Sequence, residues 1–582
     1  MSKRTFGRVA ATAIIIAATL VGGIWGGRAF SQSDTGAQRV ESAYTEALSV
    51  ISDNYVEEID YGKANEAAIQ GMLWTLDPHS NYFNPQEYRR LMQDQESRFS
   101  GIGVSILRHR DGVYVQTPIE GTPAAKAGLR FGDRIVEVDG KDARDWTTQA
   151  VSQAVRGPEG EPVTIKVERA GSQAPIYFTI KRGSVPQPSI RNYFMVRPGV
   201  GYVGLNGGFT QTTAEELERA LADLSKQGMQ QVVLDLRNNP GGLLDQAIKV
   251  ASHFVGRDKP IVSVRSRDEE QNAVYRNTLY DPVEYPLVVL VNGYSASASE
   301  IVAGAIQDHG RGLIVGETTF GKGLVQRIFN LPYGAGLTLT TAHYFTPYGR
   351  LIQRSYASGS IFDYYNREEA SAANTPQAPR NPNAPATPNG PTTPNAPNVP
   401  GTPLSAPNPS PTPAPTPSGP PVKTAGGRVF YGGGGITPDY TVKPLDVGNV
   451  TRARIYEEAF YFTRQLVGGQ IAGLENYRVN SEPQFGRSAR PTDLPVTDKV
   501  VEAFRAFAQH DAESGLKPAQ IDRELDYVRL RLREDIVNAA YGGDAAARFV
   551  LESGDPQLAR ALELFPEAKA LAANVGASRA SD

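Results

Sequence analysis

Hydrophobic and polar positions change period several times along the chain, and each change marks a different kind of structure. Tyr44, Ala47, Leu48 and Ile51 recur at helical spacing, as do Ala67, Ile69, Met72, Leu73 and Leu76, so residues 38–92 are predicted to be helical. Asp77-Pro78 is a stop signal within that region. From 99 to 185 the runs shorten and β-formers dominate: Gly103–Leu107, Val113–Gln116, Arg134–Val138, Val163–Glu168 and Ile176–Ile180, broken by Gly, Asp and Pro. Residues 186–350 alternate between the two periods. Gly201–Leu205, Gln231–Leu236, Leu287–Val291, Gly312–Val315 and Leu337–Thr341 read as strands, and Ala214–Lys226, Leu243–Phe254 and Glu300–Gln307 as helices, which predicts an α/β domain. Residues 450–575 return to helix, with strong patterns at Val500–Phe507 and Ile521–Val537. The whole reads as a multidomain α+β chain.

Two segments fit none of these patterns. Val9–Gly27 carries no charge and, if helical, spans about 28 Å, close to the hydrocarbon thickness of a bilayer. Lys3, Arg4 and Arg8 precede it and Trp25 sits near its far end. This predicts residues 1–30 to be a membrane anchor with a cytoplasmic N-terminus, or a signal peptide cut near Gly27-Arg28-Ala29. Either reading exports the chain to the extracytoplasmic, periplasmic side. The second segment, residues 374–425, has proline at every third position from Pro376 to Pro403. Polyproline II has three residues per turn, so these rings would line one face of an extended, solvated insertion.

Composition narrows the function classes. The chain has 582 residues, a net charge of −3 and no cysteine. Near-neutrality gives no electrostatic footprint for nucleic acid. Without cysteine there are no disulfides, no thiolate-bound zinc and no cysteine nucleophile.

Three loops carry candidate chemistry. Tyr294-Ser295-Ala296-Ser297-Ala298-Ser299-Glu300 follows an apolar strand and opens a helix, a place where a hydroxyl is exposed beside backbone N–H groups. Ser297-x-x-Glu300 also spells a capping box, so the same serine could simply cap the helix. Gly316-Glu317-Thr318-Thr319-Phe320-Gly321-Lys322-Gly323 sets one lysine between glycines after a strand. A lysine serves as general base if its site lowers its pKa toward 7, roughly 4–5 kcal/mol of differential stabilisation that demands burial. The loop nearly matches a phosphate-binding loop. However, Gly323 stands where a magnesium-binding hydroxyl belongs, and Leu324–Phe329 reads as strand where that motif needs a helix. Leu234–Gly242 is a strand ending in Asn239-Pro240-Gly241-Gly242, whose bare glycines can aim backbone amides into a cleft. None of the six histidines (His79, His109, His253, His309, His343, His510) sits in a distinctive catalytic context. In the β-rich region, Phe99-Ser100-Gly101-Ile102-Gly103-Val104 leads into a strand, an arrangement that can hold a terminal carboxylate and pair with an arriving peptide.

In order and spacing these pieces resemble the C-terminal processing peptidases, also called tail-specific proteases. The resemblance runs over roughly residues 40–350: Leu76-Asp77-Pro78-His79-Ser80, the Gly101–Val104 loop, Asn239-Pro240-Gly241-Gly242, Ser295–Glu300, then Gly321-Lys322-Gly323-x-x-Gln326. Gly435-Ile436-Thr437-Pro438-Asp439 would close the protease domain. It implies a helical region at 38–92, a PDZ domain at 99–185, a serine protease domain at 186–350 and 426–445, the insertion at 374–425, and a helical C-terminal domain at 450–575. It also implies Ser297 as nucleophile, Lys322 as general base and Gln326 as the residue that orients it. The oxyanion donors would be the amides of Ala298 and Gly242, with Gly241 as the other choice. Gly101, Ile102, Gly103 and Val104 would hold the peptide, helped by Arg156, which precedes Gly157-Pro158-Glu159-Gly160. No metal or cofactor is implied. The expected partners are proteins with free, apolar C-terminal tails, the membrane through the N-terminal anchor, and further copies of the chain as a homo-oligomer. The alternative is an inactive PDZ scaffold on a degenerate protease fold. The helices beyond 450 match nothing in the family pattern and would serve as an oligomer interface or a substrate cradle.

Overall fold

The structure, a computed structural model, describes residues 36–356, 364, 419–424, 427–446 and 448–580. The Val9–Gly27 run and nearly all of the proline-rich segment lie outside them. Among the described residues no helix is long and apolar enough to cross a membrane.

The chain divides into two compact units after Thr75. The first contains helices Gly36–Asn54 and Tyr61–Trp74. Asp60 starts the second helix by accepting the Lys63 N–H at 3.1 Å, the usual service of an N-cap aspartate.

The second unit opens with a departure from the helical expectation. Asn81–Phe83 is a strand, and helix resumes only over Pro85–Asp94. Pro78 cannot continue a helix, and Asn84 accepts from the Glu87 N–H at 3.0 Å to start a new one.

A five-strand path follows. Its edge is β1 (Val104–His109), which pairs only with Gly112–Pro118 among the described residues, and it continues through Arg134–Val138, Pro162–Glu168 and Ile176–Lys181. Helix α1 (Thr148–Val155) packs its Val151 into the core of Ile102, Val113, Ile135 and Val163. Arg98–Gly101 pairs with Gly183–Pro186, so the chain enters and leaves this domain side by side.

The next region contains β2 (Ile190–Arg197), β3 (Val200–Leu205), α2 (Thr213–Lys226), β4 (Gln231–Asp235), α3 (Leu244–Ser252), β5 (Leu287–Val291), α4 (Ala298–Asp308) and β6 (Leu313–Gly316). Then come β7 (Leu324–Asn330) and β8 (Gly336–Phe345), and after the insertion β9 (Tyr440–Thr441). The main sheet runs β2-β3-β4-β5-β6-β9, parallel from β3 onward. A second sheet joins β8 to β7, to Pro260–Ser266 and to the Asn81–Phe83 strand. The strand at Pro260–Ser266 was hidden in the sequence by its half-polar pattern.

The all-apolar run of β5 has a direct cause: the sheet is covered on both faces. Leu287, Val289 and Val291 face the core made with α2, α3 and α4, whereas Val288 and Leu290 face a different cluster. That other cluster is supplied by Leu558, Ala561, Leu564 and Phe565 from the C-terminal helices Pro556–Glu563 and Phe565–Ala580. Earlier in the C-terminal region, the predicted continuous helix Ile521–Val537 is broken. Pro518–Arg523 and Leu525–Tyr541 meet at Glu524, whose backbone leaves the helical range and whose carboxylate pairs with Arg452 at 2.7 Å. Helix Val450–Val467 brings Phe460 and Tyr461 against Tyr114 and Phe131 of the β-rich domain.

The C-terminal helices are therefore part of the main sheet's core. Phe565→Ala, at a position only 1% exposed, is expected to cost about 3–5 kcal/mol, read as a lower urea midpoint for unfolding of the sheet domain.

Candidate active site

Ser297 stands between the end of β5 and the start of α4. Its backbone has φ 54° and ψ −111°, a strained conformation for a residue with a β-carbon. Such strain turns a side chain out of the regular path of strand and helix. The capping-box reading is half realised. Glu300 accepts the Ser297 N–H at 2.8 Å, but the Ser297 hydroxyl makes no capping bond. Its neighbours are used differently: Ser295 Oγ donates to Leu236 O at 2.8 Å and Ser299 Oγ to Asn239 O at 3.0 Å, both buried. Of the three serines, Ser297 alone is not spent on the turn.

The Gly241-Gly242 turn lies against this serine. A β-carbon at Gly241 would stand 2.8 Å from the Ser297 β-carbon and 3.0 Å from the Ala298 nitrogen, so only glycine fits. The Gly241 N–H is taken by Asn239 Oδ1 at 2.9 Å. Phe209 donates to Gly241 O and accepts from the Leu243 N–H, a parallel bridge that leaves the intervening Gly242 amide pointing away from Phe209. Ala298 is the first residue of α4, where N–H groups have no partner within the helix.

Lys322 precedes β7, and its Nζ donates to Gln326 Oε1 at 2.8 Å. Burial pushes the lysine pKa down to about 8, against the pull of the Asp77 and Glu300 carboxylates. The Gln326 amide nitrogen in turn donates to the backbone carbonyl of His79. The His79 ring is itself buried and neutral over the ordinary range, its pKa brought to about 3 by burial and then by Lys322 and Arg354.

One carboxylate ties the serine and lysine loops together. Glu300, with no exposed surface, accepts through Oε2 from both the Ser297 and Lys322 N–H groups, at 2.8 and 2.9 Å. Through Oε1 it accepts from the Gly321 N–H at 2.7 Å and the Thr319 hydroxyl. Burial raises the Glu300 pKa, and these four donors oppose the rise. The buried Tyr344 hydroxyl lies 2.9 Å from Ser297 O and 2.6 Å from Lys322 O, a second tie between the same residues.

The sequence-predicted residues Ser297, Ala298, Gly241, Gly242, Lys322 and Gln326 thus gather at the ends of β4 and β5 and the start of β7. The peptide-loop candidates lie apart from them in the β-rich domain. Gly101 ends a strand, Ile102 is buried in the core, Gly103 takes φ +77° against Thr122, and Val104 begins the open edge β1. Arg156, just past α1, stacks on Phe99 at 4.4 Å, with its side chain 3.6 Å from where a Gly101 β-carbon would stand. Sequence reasoning missed Tyr344, and it saw Glu300 only as a cap. The glutamate's place within Ser-x-x-Glu was the available signal, but nothing in it showed that a second loop would share the carboxylate.

A description of peptidase family S41 matches residues 199–359, one of the PDZ domain matches residues 114–169, and one of the activating protease CtpB N-terminal domain matches residues 27–87. A carboxy-terminal-processing protease of Bartonella bacilliformis is 40% identical over 308 residues, covering 52% of this chain and 70% of that protein. The chain belongs to the carboxy-terminal processing proteases. The carboxy-terminal processing protease CtpB of Bacillus subtilis is 34% identical, covering 56% of this chain and 68% of that protein. Among solved structures, a photosystem II D1 C-terminal processing protease is 34% identical and covers 51% of this chain and 80% of that one, with a TM-score of 0.32. This processing protease is therefore a PDZ-containing protease of multidomain α+β architecture. Among its described residues no cluster of His, Asp or Glu could hold a metal ion.

Removing the shared carboxylate strands three backbone N–H groups and a hydroxyl. Glu300→Ala is expected to cost at least about 3 kcal/mol, measured by chemical denaturation.

Proposed function

We propose that this processing protease cleaves by a serine–lysine mechanism. The observation that carries the reading is the buried Lys322: its pKa is brought down to about 8, its Nζ donates to Gln326, and its backbone N–H shares the Glu300 Oε2 with that of Ser297. Neutral Lys322 accepts the Ser297 proton as the hydroxyl attacks the scissile carbonyl. The Ala298 and Gly242 amides receive the developing oxyanion, since the Gly241 amide is already held by Asn239. The protonated lysine returns its proton to the leaving amine, and water activated by the same lysine then releases the acyl-enzyme.

The substrate reading follows from the β-rich domain. The open edge of β1, the Gly101–Val104 loop at its start and Arg156 beside that loop support capture of a free, apolar C-terminal tail by strand addition. The basic flank and apolar run at residues 1–30 support an enzyme exported to the extracytoplasmic side, anchored or released.

Lys322→Ala is expected to abolish cleavage of an unfolded model protein with an apolar tail while leaving the denaturation midpoint near that of the wild type; a retained rate removes the lysine from the chemistry. Wild-type kcat/KM should rise with pH through about 8 as the ammonium loses its proton, with about a tenth of the lysine neutral at pH 7. Amidating the substrate's C-terminus should slow its cleavage at least tenfold. Equal rates for free and amidated tails would take the PDZ domain out of substrate selection.

A further inference from the structure

The turn before the PDZ domain, Leu76-Asp77-Pro78-His79-Ser80, acts on the base in two ways, one through Gln326 and one through charge. The first is steric and directional. Gln326 presents its amide oxygen to Lys322 Nζ at 2.8 Å and its amide nitrogen to the His79 carbonyl. A rotated amide would set –NH₂ against the ammonium and oxygen against the carbonyl, losing both bonds. The His79 carbonyl therefore fixes which end of Gln326 faces the lysine. The second is electrostatic: the Asp77 carboxylate favours the charged form of Lys322.

The turn is built to hold that carbonyl still. Asp77 is buried and accepts from the His79 N–H at 2.7 Å, the Ser80 N–H at 2.9 Å and the Ser80 hydroxyl at 2.7 Å. The His79 ring is anchored at Nε2 to the Tyr364 hydroxyl, at 2.8 Å. Downstream, Asn81–Phe83 pairs with β8 in the register Asn81↔Thr338, and Ser80 Oγ accepts from the Thr340 N–H at 3.2 Å. β8 also pairs with β7, in the register Gln326↔Thr340, so the turn and the glutamine are carried by one strand.

We propose that Asp77 and His79 are positioning residues for the base: the Asp77 turn holds the His79 carbonyl that orients Gln326 against Lys322, and it brings a carboxylate to the lysine's side of the site. The inference rests on the serine–lysine reading. The charged and titratable groups around Lys322 are Asp77 and His79 from this turn, Glu300 from α4, Tyr344 from β8, and Arg354 and Tyr364, which face His79. Of these, Asp77 and Glu300 act directly on the lysine's charge, and Glu300 already serves four donors.

The test is the pH profile of kcat/KM in the full-length protease. Asp77→Asn keeps the Oδ1 acceptor for the His79 and Ser80 N–H groups, replaces the Ser80 O–H···Oδ2 bond by one that the amide nitrogen donates to Ser80 Oγ, and removes the charge. Losing that charge disfavours the ammonium, so the acid limb moves to lower pH. Relative to its plateau, the variant is expected to gain about threefold over wild type at pH 6.5, on a limb where activity changes tenfold per pH unit. Gln326→Glu should move the limb the other way, to higher pH, because a second carboxylate contacts the ammonium and its far oxygen meets the His79 carbonyl. A turn with only a structural role lowers the plateau and leaves both limbs in place, and that result overturns the proposal. An unmoved limb in both variants, with Lys322→Ala inactive, refutes this inference alone. Activity in Lys322→Ala refutes the serine–lysine reading beneath it.

Discussion

The site depends on a single buried carboxylate. Glu300 sits one turn into α4, where the helix N-terminus favours negative charge, and it accepts from four donors on two loops. Ser297 and Lys322 are 25 residues apart in sequence and stand on different loops, one between β5 and α4 and the other between β6 and β7. What makes them neighbours is the backbone on either side of Glu300. The arrangement carries an electrostatic conflict. A carboxylate near an ammonium favours the charged lysine, which is the wrong state for the base proposed above. The conflict is settled because the negative charge is spent on N–H and O–H donors while the lysine is desolvated, and desolvation is the larger effect.

The same accounting explains why the loops are glycine-rich and the serine strained. Gly241 must pass within van der Waals reach of Ser297 without a side chain. Ser297 must keep its N–H on Glu300 while its hydroxyl stays off the helix cap, and a positive φ achieves both. A relaxed N-cap serine would turn its oxygen inward to the α4 amides and lose its availability. The strain is held in place by bonds on both flanks: Ser295 on Leu236 O before it, and Ser299 on Asn239 O after it.

Much of this was legible in the sequence, and the illegible part has a common cause. The strands at Arg134–Val138 and Leu287–Val291 were read to the residue, because β-branched runs bounded by turn residues have few other solutions. Ser297 and Lys322 emerged from loop chemistry, once the spacing was taken together with the family pattern. Their tie through Glu300 and Tyr344, and the contact of His79 with Gln326, did not emerge. These are long-range bonds between a carboxylate, a hydroxyl or a carbonyl and atoms whose distance in sequence carries no signal. The Asn81–Phe83 strand failed for the same reason, since it is defined by a partner in β8 more than 250 positions on. Helix Ile521–Val537 failed oppositely: its period was right, but periodicity passes smoothly over a local break such as Glu524.

The C-terminal helices matched no family pattern, yet they set the geometry in which the other domains work. Their last turns cover the open face of the protease sheet, which explains why β5 can be apolar on both sides. Their first helix grips the PDZ domain. His109, at the end of β1, stacks on Phe460 with ring centroids 3.6 Å apart and bonds Glu457 at 2.8 Å. Arg464 donates to the carbonyls of Gly132 and Glu168, and Asn538 to that of Gln116. Contacts to backbone carbonyls fix where the strands lie, whatever their side chains do. The edge strand β1 therefore begins at the Gly101–Val104 loop and ends on a helical domain that is itself seated on the protease sheet. One continuous packed structure connects the PDZ domain to the protease sheet, and it is made from a part of the chain outside residues 114–169 and 199–359 that the PDZ and S41 descriptions match.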